Sequence, residues 1–229
     1  MQDRCIKFFL RPTYAEVLSA DTMRVQTRGS VWHRQQQAQG IIPKGLHGLD
    51  TEGTWSYSRS AGWVYGHGTC GLVTCGTRRL GAFKWRRNSG NEAKRMWVET
   101  GKFKGLMTTV LMDSKADDQA LFRECQRQRG ILRLTTARKG ADKSPARQRR
   151  VKVLNQRKHK KVYKQRSSTV EPMPGLLKDI FELERCWRRG NTNNRWLFAA
   201  MGVAVQMHQY RAWQAGCSPW AIKQEVLGR

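Results

Sequence analysis

VLMDSKADDQALFRECQRQRG, residues 110–130, contains an apolar run, an acidic turn and a helical pattern in immediate succession. The apolar run begins at Met107 and predicts a short strand, and ADDQALFRECQRQR predicts a helix. ILRLTT, residues 131–136, predicts another strand. Strands that alternate with helices in this way are typical of an α/β domain. Asp113 ends the first of these strands, in a chain that otherwise has a large excess of cations.

The sequence before this stretch predicts strands that are joined by tight turns. WVYGHGTCGLVTC at 63–75 and RLGAFKWR at 79–86 are rich in aromatic and β-branched residues, with glycines between them. A short helix is expected at 91–99, where NSGN supplies a start signal. The whole pattern therefore predicts a mixed α/β chain.

Two longer helices are predicted in the C-terminal third. Apolar residues recur at helical spacing in a helix at about 172–188, namely Leu176, Ile180, Leu183 and Trp187. The last helix, at about 194–213, is apolar on most sides and should therefore be buried.

Net charge is the strongest compositional signal. Lys and Arg number 43 against 17 Asp and Glu, which gives a formal net charge of +26. Such an excess indicates a polyanionic partner, with nucleic acid as the first candidate and strongly salt-dependent binding. An apolar fraction of 39% and nine Trp argue against a wholly disordered chain.

Cysteine spacing and hydropathy predict the compartment. The six cysteines show no paired spacing, which favours a reduced chain. The longest apolar run, at 196–205, is about half the length that a bilayer requires, and CIKFFLRP has too short an apolar core for a secretory signal. We therefore expect a cytoplasmic, nucleoid-associated protein with no membrane partner.

The segment 137–166 is dominated by Lys and Arg and contains one acid, Asp142. Charge runs are often solvated loops. Apolar residues are interleaved in this segment, however, and a structured helix follows it. Phosphate contact is therefore the favoured interpretation.

Three other patterns could indicate a nucleotide-binding, zinc or catalytic site. GHGTCG, residues 66–71, formally matches a dinucleotide-binding loop, but strand-like residues follow it, which favours a Gly-rich hairpin turn. Zinc ligation by His67, Cys70 and Cys75 lacks the usual paired spacing. A Cys–His catalytic pair stays open, because such residues meet in space rather than in sequence.

Asp50, Asp113 and Glu171 form the favoured constellation. Asp50 lies near the first strand, Asp113 at the end of a central strand and Glu171 at the start of a later helix. Open α/β sheets bind ligands at the carboxyl ends of their strands. Three converging carboxylates can hold two divalent cations, a common arrangement for phosphodiester chemistry.

Three stretches resemble the DDE-type transposase domain of bacterial insertion sequences, over about residues 46–210. They are DTEGTWSYSRSAGWVYGHG at 50–68, VLMDSKADDQALFRECQRQRG at 110–130 and YKQRSSTVEPMPGLLKDIFELERCWRRGNTNNRWLFAA at 163–200. The third is the most specific, because it resembles the family's Y…R…E…K helix.

The resemblance implies a fold: a ribonuclease H-like mixed sheet of about five strands, the first three antiparallel, with helices on both faces. The strands would be 50–56, 63–75, 79–86, 107–112 and 131–136. It also implies a layout of the chain: residues 1–45 as an arm or remnant of a DNA-end-binding region, 46–215 as the transposase domain with 137–166 as a basic insertion, and 216–229 as a tail.

The resemblance further implies the site and its chemistry. Asp50, Asp113 and Glu171 would bind Mg²⁺ or Mn²⁺, as two ions, and catalyse DNA cleavage and strand transfer. Residues expected to hold the element ends and target DNA are Tyr163, Arg166 and Lys178 of the signature, with Lys158, Lys160 and Lys161 of the basic segment. A homodimer on DNA is compatible with this picture.

Two departures from the family keep alternatives open. Four residues separate Arg166 from Glu171 where the family has three, and the simplest helix has Glu171 at its N-cap and Pro172 at its first position. The chain also shows no convincing helix-turn-helix before Asp50. The alternatives are therefore a truncated, inactive remnant that only binds nucleic acid, and a metal-dependent nuclease without transposition.

Overall fold

The computed structural model describes residues 16–58, 61–91, 94–95, 107–137 and 144–227. Six strands form one sheet, and we number them in chain order: β1 Glu16–Gln26, β2 Thr54–Ser58, β3 Gly62–Thr74, β4 Leu80–Arg87, β5 Met107–Met112 and β6 Leu132–Thr135. β3 pairs antiparallel with β1, β2 and β4, whereas β5 pairs parallel with both β1 and β6. The sheet is therefore mixed, as the sequence predicts.

β1 is the main correction to the predicted layout. It lies inside the sheet between β3 and β5, although residues 1–45 were expected to be an arm. Leu18 and Ala20 point to one face and Met23 and Val25 to the other, and all four are buried. A strand that is covered on both faces lacks a simple polar–apolar alternation, which explains why the pattern was not detected. The domain therefore begins before residue 46.

The GHGTCG stretch forms no hairpin turn and lies in the interior of β3. Glycine in a strand often marks a site where another backbone approaches closely. A Cβ atom at Gly66 would lie 2.0 Å from the Val25 carbonyl oxygen of β1, and one at Gly71 would lie 2.1 Å from Met173 Cε. The glycines thus permit close packing of β1 and of a helix against β3.

Gly66→Ala is expected to destabilise the fold by about 3 kcal/mol, because the clash is with backbone and cannot be relieved by a rotamer change. Gly175→Ala is the matched control, since a Cβ there meets nothing within 4 Å. It replaces a helical glycine and should stabilise by up to about 1 kcal/mol. Urea unfolding of both variants checks this; equal stabilities would contradict the packing described here.

The helices of the described residues are α1 Arg34–Ala38, α2 Gln119–Arg129, α3 Pro145–Asn155, α4 Arg157–Thr169, α5 Pro172–Phe181, α6 Asn191–Gln214 and α7 Ile222–Leu227. Leu121 and Cys125 of α2 pack against one face of the sheet, which we call the α2 face. α5 and α6 pack against the opposite face, which we call the α6 face. Helices thus cover both faces, as expected.

The predicted helix at 172–188 ends early. α5 stops at Phe181, because Glu182 adopts a left-handed conformation with φ 49°. Leu183 is still buried, but Trp187 is 44% exposed and does not join the core. The start is as predicted, with Glu171 at the N-cap and Pro172 at the first position.

The basic segment and the C-terminal tail are also structured. Residues 144–169 fold largely as α3 and α4, whereas 138–143 lie outside the described residues. Ile222 of α7 is fully buried in the core on the α6 face, so residues 216–227 are part of the domain rather than a separate tail. Most of the predicted helix at 91–99 lies outside the described residues. None of the helices that the structure describes has the length and hydropathy needed to cross a membrane.

Candidate active site

Asp113 lies at the carboxyl end of β5. Its backbone is extended, with φ −75° and ψ 176°, and its Oδ1 accepts a hydrogen bond of 3.0 Å from the Lys115 N–H. This bond caps a short 3₁₀ turn, Ser114–Ala116. Because side chains alternate along an extended strand, Asp113 lies on the same face as Leu111, which packs against α4.

Asp21 of β1 lies beside Asp113. Ser19 of β1 pairs with Leu111 of β5 in the parallel ladder. Asp21 and Asp113 each lie two residues further on, so they are neighbours, with the two backbones about 4.8 Å apart. Asp21 also pairs with Gly71, the residue that Met173 of α5 covers. The Asp21 carboxylate therefore lies on the α6 face, under the junction of α4 and α5.

Glu171 is positioned by the break between α4 and α5. Pro172 and Pro174 have no backbone N–H, so they are tolerated only in the first turn of a new helix. Glu171 therefore stands at the junction, 51% exposed, and its Oε1 lies 2.7 Å from Nη1 of Arg166. The junction directs this carboxylate toward the end of α4.

Arg166 connects the acids of β1 and α5. Its second nitrogen, Nη2, lies 3.3 Å from Oδ2 of Asp21, and its side chain is only 13% exposed. One turn earlier on α4, the Tyr163 hydroxyl donates a 3.0 Å hydrogen bond to the Met112 carbonyl oxygen, just before Asp113. The structure thus brings Tyr163 to the end of β5, next to Asp113, and pairs Arg166 with Glu171 and with Asp21, a residue outside the predicted set.

Asp50 lies elsewhere, which corrects the predicted triad. It is 2% exposed, and its Oδ2 accepts hydrogen bonds from His67 Nε2 at 2.8 Å and from the Gly190 N–H at 3.0 Å. His67 pairs with Val25, four residues beyond Asp21 along β1, which is a distance of about 13 Å. In addition, β3 lies on the side of β1 opposite β5. Asp50 therefore does not meet Asp113.

Asp50 is the centre of a buried polar network. The Trp85 indole N–H donates to His67 Nδ1 at 3.1 Å, so Nε2 carries the proton and donates to Asp50. Burial alone would raise the pKa of Asp50, but the hydrogen bonds from His67 and Gly190 outweigh it and hold that pKa below its ordinary value. Burial and the Asp50 charge raise the pKa of Tyr65 to about 12. This network anchors the start of α6 to the sheet.

Arginines of α3 and β6 hold the 3₁₀ turn that follows Asp113. The Asp117 carboxylate accepts hydrogen bonds from Arg147 and Arg150 of α3, and the buried Arg133 donates to the Ala116 carbonyl oxygen. Asp118 caps α2, since its Oδ1 accepts from the Leu121 N–H at 3.0 Å. These contacts fix Asp113 at the strand end, and the neighbouring acids Asp117 and Asp118 have structural roles in them.

The donor set suits a hard divalent cation. Asp21, Asp113 and Glu171 offer carboxylate oxygens, the ligands that Mg²⁺ and Mn²⁺ prefer. Within the described part of the chain, no three His, Cys, Asp or Glu side chains lie together as a group that could hold a metal ion. The Arg166 guanidinium stands between two of the three carboxylates instead.

The predicted phosphate contacts fall into two groups. Lys158, Lys160 and Lys161 are exposed on α4, the helix that leads to Arg166. Lys178, in the last turn of α5, is the exception, because its Nζ lies 3.0 Å from the Glu184 carboxylate. The exposed lysines thus share helix α4 with Arg166, whereas Lys178 has an acidic partner.

Sequence reasoning missed Asp21. It is the one charged residue in VLSADTM, residues 17–23. A carboxylate within an uncharged run would be costly to bury without a partner, so its place in this run is the signal that could have identified it.

Comparisons with known proteins give one structural likeness. No family model matches the sequence, and a search of curated proteins finds no significant match. The fold is similar to that of the piggyBac transposase in a cryo-EM structure of its synaptic complex with hairpin DNA, with a TM-score of 0.55 and 12% identity. The likeness covers 93% of this chain and 52% of that one, so the chain spans about half the length of its neighbour.

Proposed function

We propose that the chain is a DDE-type transposase domain that cleaves and joins DNA with the aid of divalent cations. One observation carries the proposal: Asp21 and Asp113 each lie two residues beyond the paired residues Ser19 and Leu111 of β1 and β5, and Arg166 links Asp21 to Glu171. Two acids that are distant in sequence thus share one arginine, and a third follows the adjacent strand. The proposed triad is Asp21, Asp113 and Glu171, with Asp21 in place of Asp50.

The topology supports a ribonuclease H-like fold. β4, β3 and β1 form an antiparallel group, and β5 and β6 continue the sheet from β1 in parallel. This mixed order supports the fold that the sequence resemblance implies, with β1 as a strand that the resemblance did not include. The similar fold of a transposase bound to hairpin DNA supports DNA as the partner.

The proposed reaction has two steps. Water attacks a phosphodiester, and the bond to the 3′-oxygen breaks, which leaves a 3′-hydroxyl and a 5′-phosphate. That 3′-hydroxyl then attacks a phosphodiester of target DNA and displaces its 3′-oxygen. Divalent cations would activate the attacking oxygen and stabilise the leaving oxygen, and Asp21, Asp113 and Glu171 would hold them.

Basic residues of α4 would bind and orient the DNA. Arg166 has a planar guanidinium that can donate two parallel hydrogen bonds to a phosphate. Tyr163 fixes α4 against the end of β5, because its hydroxyl bonds to the Met112 carbonyl oxygen. Lys158 and Lys161 are exposed on the same helix and would follow the backbone away from the scissile phosphate.

The wild-type protein tests the proposal directly. Incubated with Mn²⁺ or Mg²⁺ and nicked or branched DNA, it should release fragments with 3′-hydroxyl ends and join them to a second duplex, and EDTA should stop both reactions. Cleavage without joining would indicate a nuclease rather than a transposase.

DNA binding without cleavage is a second candidate function. It is favoured by the Arg166 guanidinium between two of the carboxylates and by the lack of a ready metal-binding group in the described residues. The same assay separates the two functions, because the second predicts salt-sensitive binding and no cleavage with either cation.

Replacing Lys158, Lys160 and Lys161 together by Ala is expected to weaken DNA binding. Each phosphate contact adds about 0.9 to the slope of log affinity against log salt concentration, so the slope should fall by about 2 to 3. Lys223→Ala on α7 is the control, since that lysine pairs with Asp179, and its slope should stay unchanged. Fluorescence anisotropy from 50 to 300 mM salt measures both, and equal slopes would contradict a role for α4.

A further inference from the structure

Arg166 occupies the point where three elements of the candidate site meet. β1 supplies Asp21, α4 supplies Arg166, and Glu171 is at the N-cap of α5. The guanidinium lies 2.7 Å from Glu171 Oε1 and 3.3 Å from Asp21 Oδ2, and the arginine side chain is largely buried. One cation thus contacts two carboxylates of the proposed triad.

We propose that Arg166 and a divalent cation compete for Asp21 and Glu171, so that Arg166 acts as an exchangeable counter-cation. Once displaced, its guanidinium turns to a DNA phosphate. Metal binding and DNA binding are then coupled through one side chain. This inference rests on the proposed function, because it requires the two carboxylates to be metal ligands.

The contact geometry supports exchange rather than permanent pairing. The 3.3 Å distance to Asp21 is longer than the roughly 2.8 Å of a strong charge-assisted hydrogen bond. Glu171 is half exposed at a helix junction, and its side chain makes no capping hydrogen bond. Both carboxylates can therefore change partners without unfolding a helix.

The chemistry of the guanidinium supports its second role. Arg166 lies near the end of the helix that carries the exposed lysines, so a DNA strand bound along α4 would bring phosphates to it. Arginine stays charged and binds a phosphate through two parallel hydrogen bonds. An arginine freed from Asp21 and Glu171 would therefore have an anionic partner within the same complex.

Competition predicts that loss of the guanidinium strengthens metal binding. Removing a positive charge about 5 Å from a divalent ion should raise its affinity about ten-fold or more, even in a high effective dielectric. A purely structural ion pair predicts the opposite, since its loss would disorder the carboxylates and weaken metal binding.

The test measures Mn²⁺ affinity of the full chain by electron paramagnetic resonance of free Mn²⁺. Arg166→Gln should bind Mn²⁺ about ten-fold more tightly than wild type. Arg123→Gln is the control, because it removes the same charge from an exposed site on α2, across the sheet; its affinity should stay within about two-fold. Equal or weaker binding by Arg166→Gln would overturn the inference.

A second measurement keeps the inference testable if Arg166→Gln does not fold. In wild-type protein, the NMR signal of the Arg166 Nε–H, assigned with Arg166→Lys, should shift and exchange faster with water when Mg²⁺ is added. An unchanged signal at saturating Mg²⁺ would overturn the inference.

The outcomes separate the inference from the proposed function. If wild type binds Mn²⁺, Asp21→Asn does not, and Arg166→Gln binds as wild type does, the metal site stands and the competition falls. If neither wild type nor Arg166→Gln binds Mn²⁺, both fall. If Arg166→Gln binds Mn²⁺ and wild type does not, Arg166 excludes the metal ion completely in the absence of DNA, which supports the competition.

Discussion

Asp21→Asn is expected to lower the rate of metal-dependent DNA cleavage at least about 100-fold. Loss of a residue that only hydrogen-bonds to a metal ligand typically lowers metal affinity or activity by about 10- to 100-fold, and a ligand itself should matter at least as much. Asn keeps the size of the side chain but removes the charge that would hold the cation. The fold should survive, because Arg166 keeps its contact with Glu171 and the Asn side-chain oxygen can still accept a hydrogen bond from it. Initial cleavage rates at saturating Mn²⁺ measure the effect.

Asp179→Asn is the matched control for this experiment. Asp179 is an exposed acid of α5 whose only described partner is Lys223, so its loss changes the charge equally without touching the site. Its cleavage rate should stay within about three-fold of wild type. Wild-type rates for Asp21→Asn would show that β1 supplies no ligand and would end the assignment of Asp21.

Asp50→Ala is expected to reduce the free energy of unfolding by about 3 kcal/mol. The substitution leaves the buried His67 Nε2–H and the partly buried Gly190 N–H without their acceptor, and each unsatisfied buried group costs about 1 to 3 kcal/mol. Urea unfolding should show a lower midpoint with an unchanged slope. A stable Asp50→Ala protein that has lost cleavage would restore Asp50 to the catalytic site.

The same network makes a prediction about acid. The pKa of Asp50 lies below its ordinary value in the folded chain, so its contribution to stability is complete above about pH 4 and is lost as the pH falls through the folded pKa. Wild type should therefore lose more stability than Asp50→Ala on acidification below about pH 4. Parallel pH profiles of the two proteins would contradict this.

Much of the fold was predictable because its signals are local. β3, β5 and β6 and the helix after Asp113 follow from residue type and period. β1 was not, since burial on both faces removes the alternation on which such a prediction depends. The hairpin turn predicted at 66–71 was also wrong, because the glycines there allow close packing against β3 rather than a turn.

The candidate site was predictable only in part, because it depends on pairing between distant strands. Asp113 and Glu171 follow from a strand end and a helix start, which are visible in sequence. Asp50 and Asp21 both precede strand-like residues, and only the sheet order distinguishes them: β1 borders β5, whereas Asp50 is bound to β3 and α6. The resemblance implied Asp50, Asp113 and Glu171, and the sheet order is the reason that our proposed triad has Asp21 in place of Asp50.

The most direct measurement of the central claim is the location of bound Mn²⁺ by anomalous scattering from crystals of the wild-type protein. Our account predicts density bounded by the carboxylates of Asp21 and Asp113, with Glu171 completing the site and any second ion about 4 Å from the first. Density at Asp50, or density at neither Asp21 nor Asp113 under saturating Mn²⁺, would contradict it.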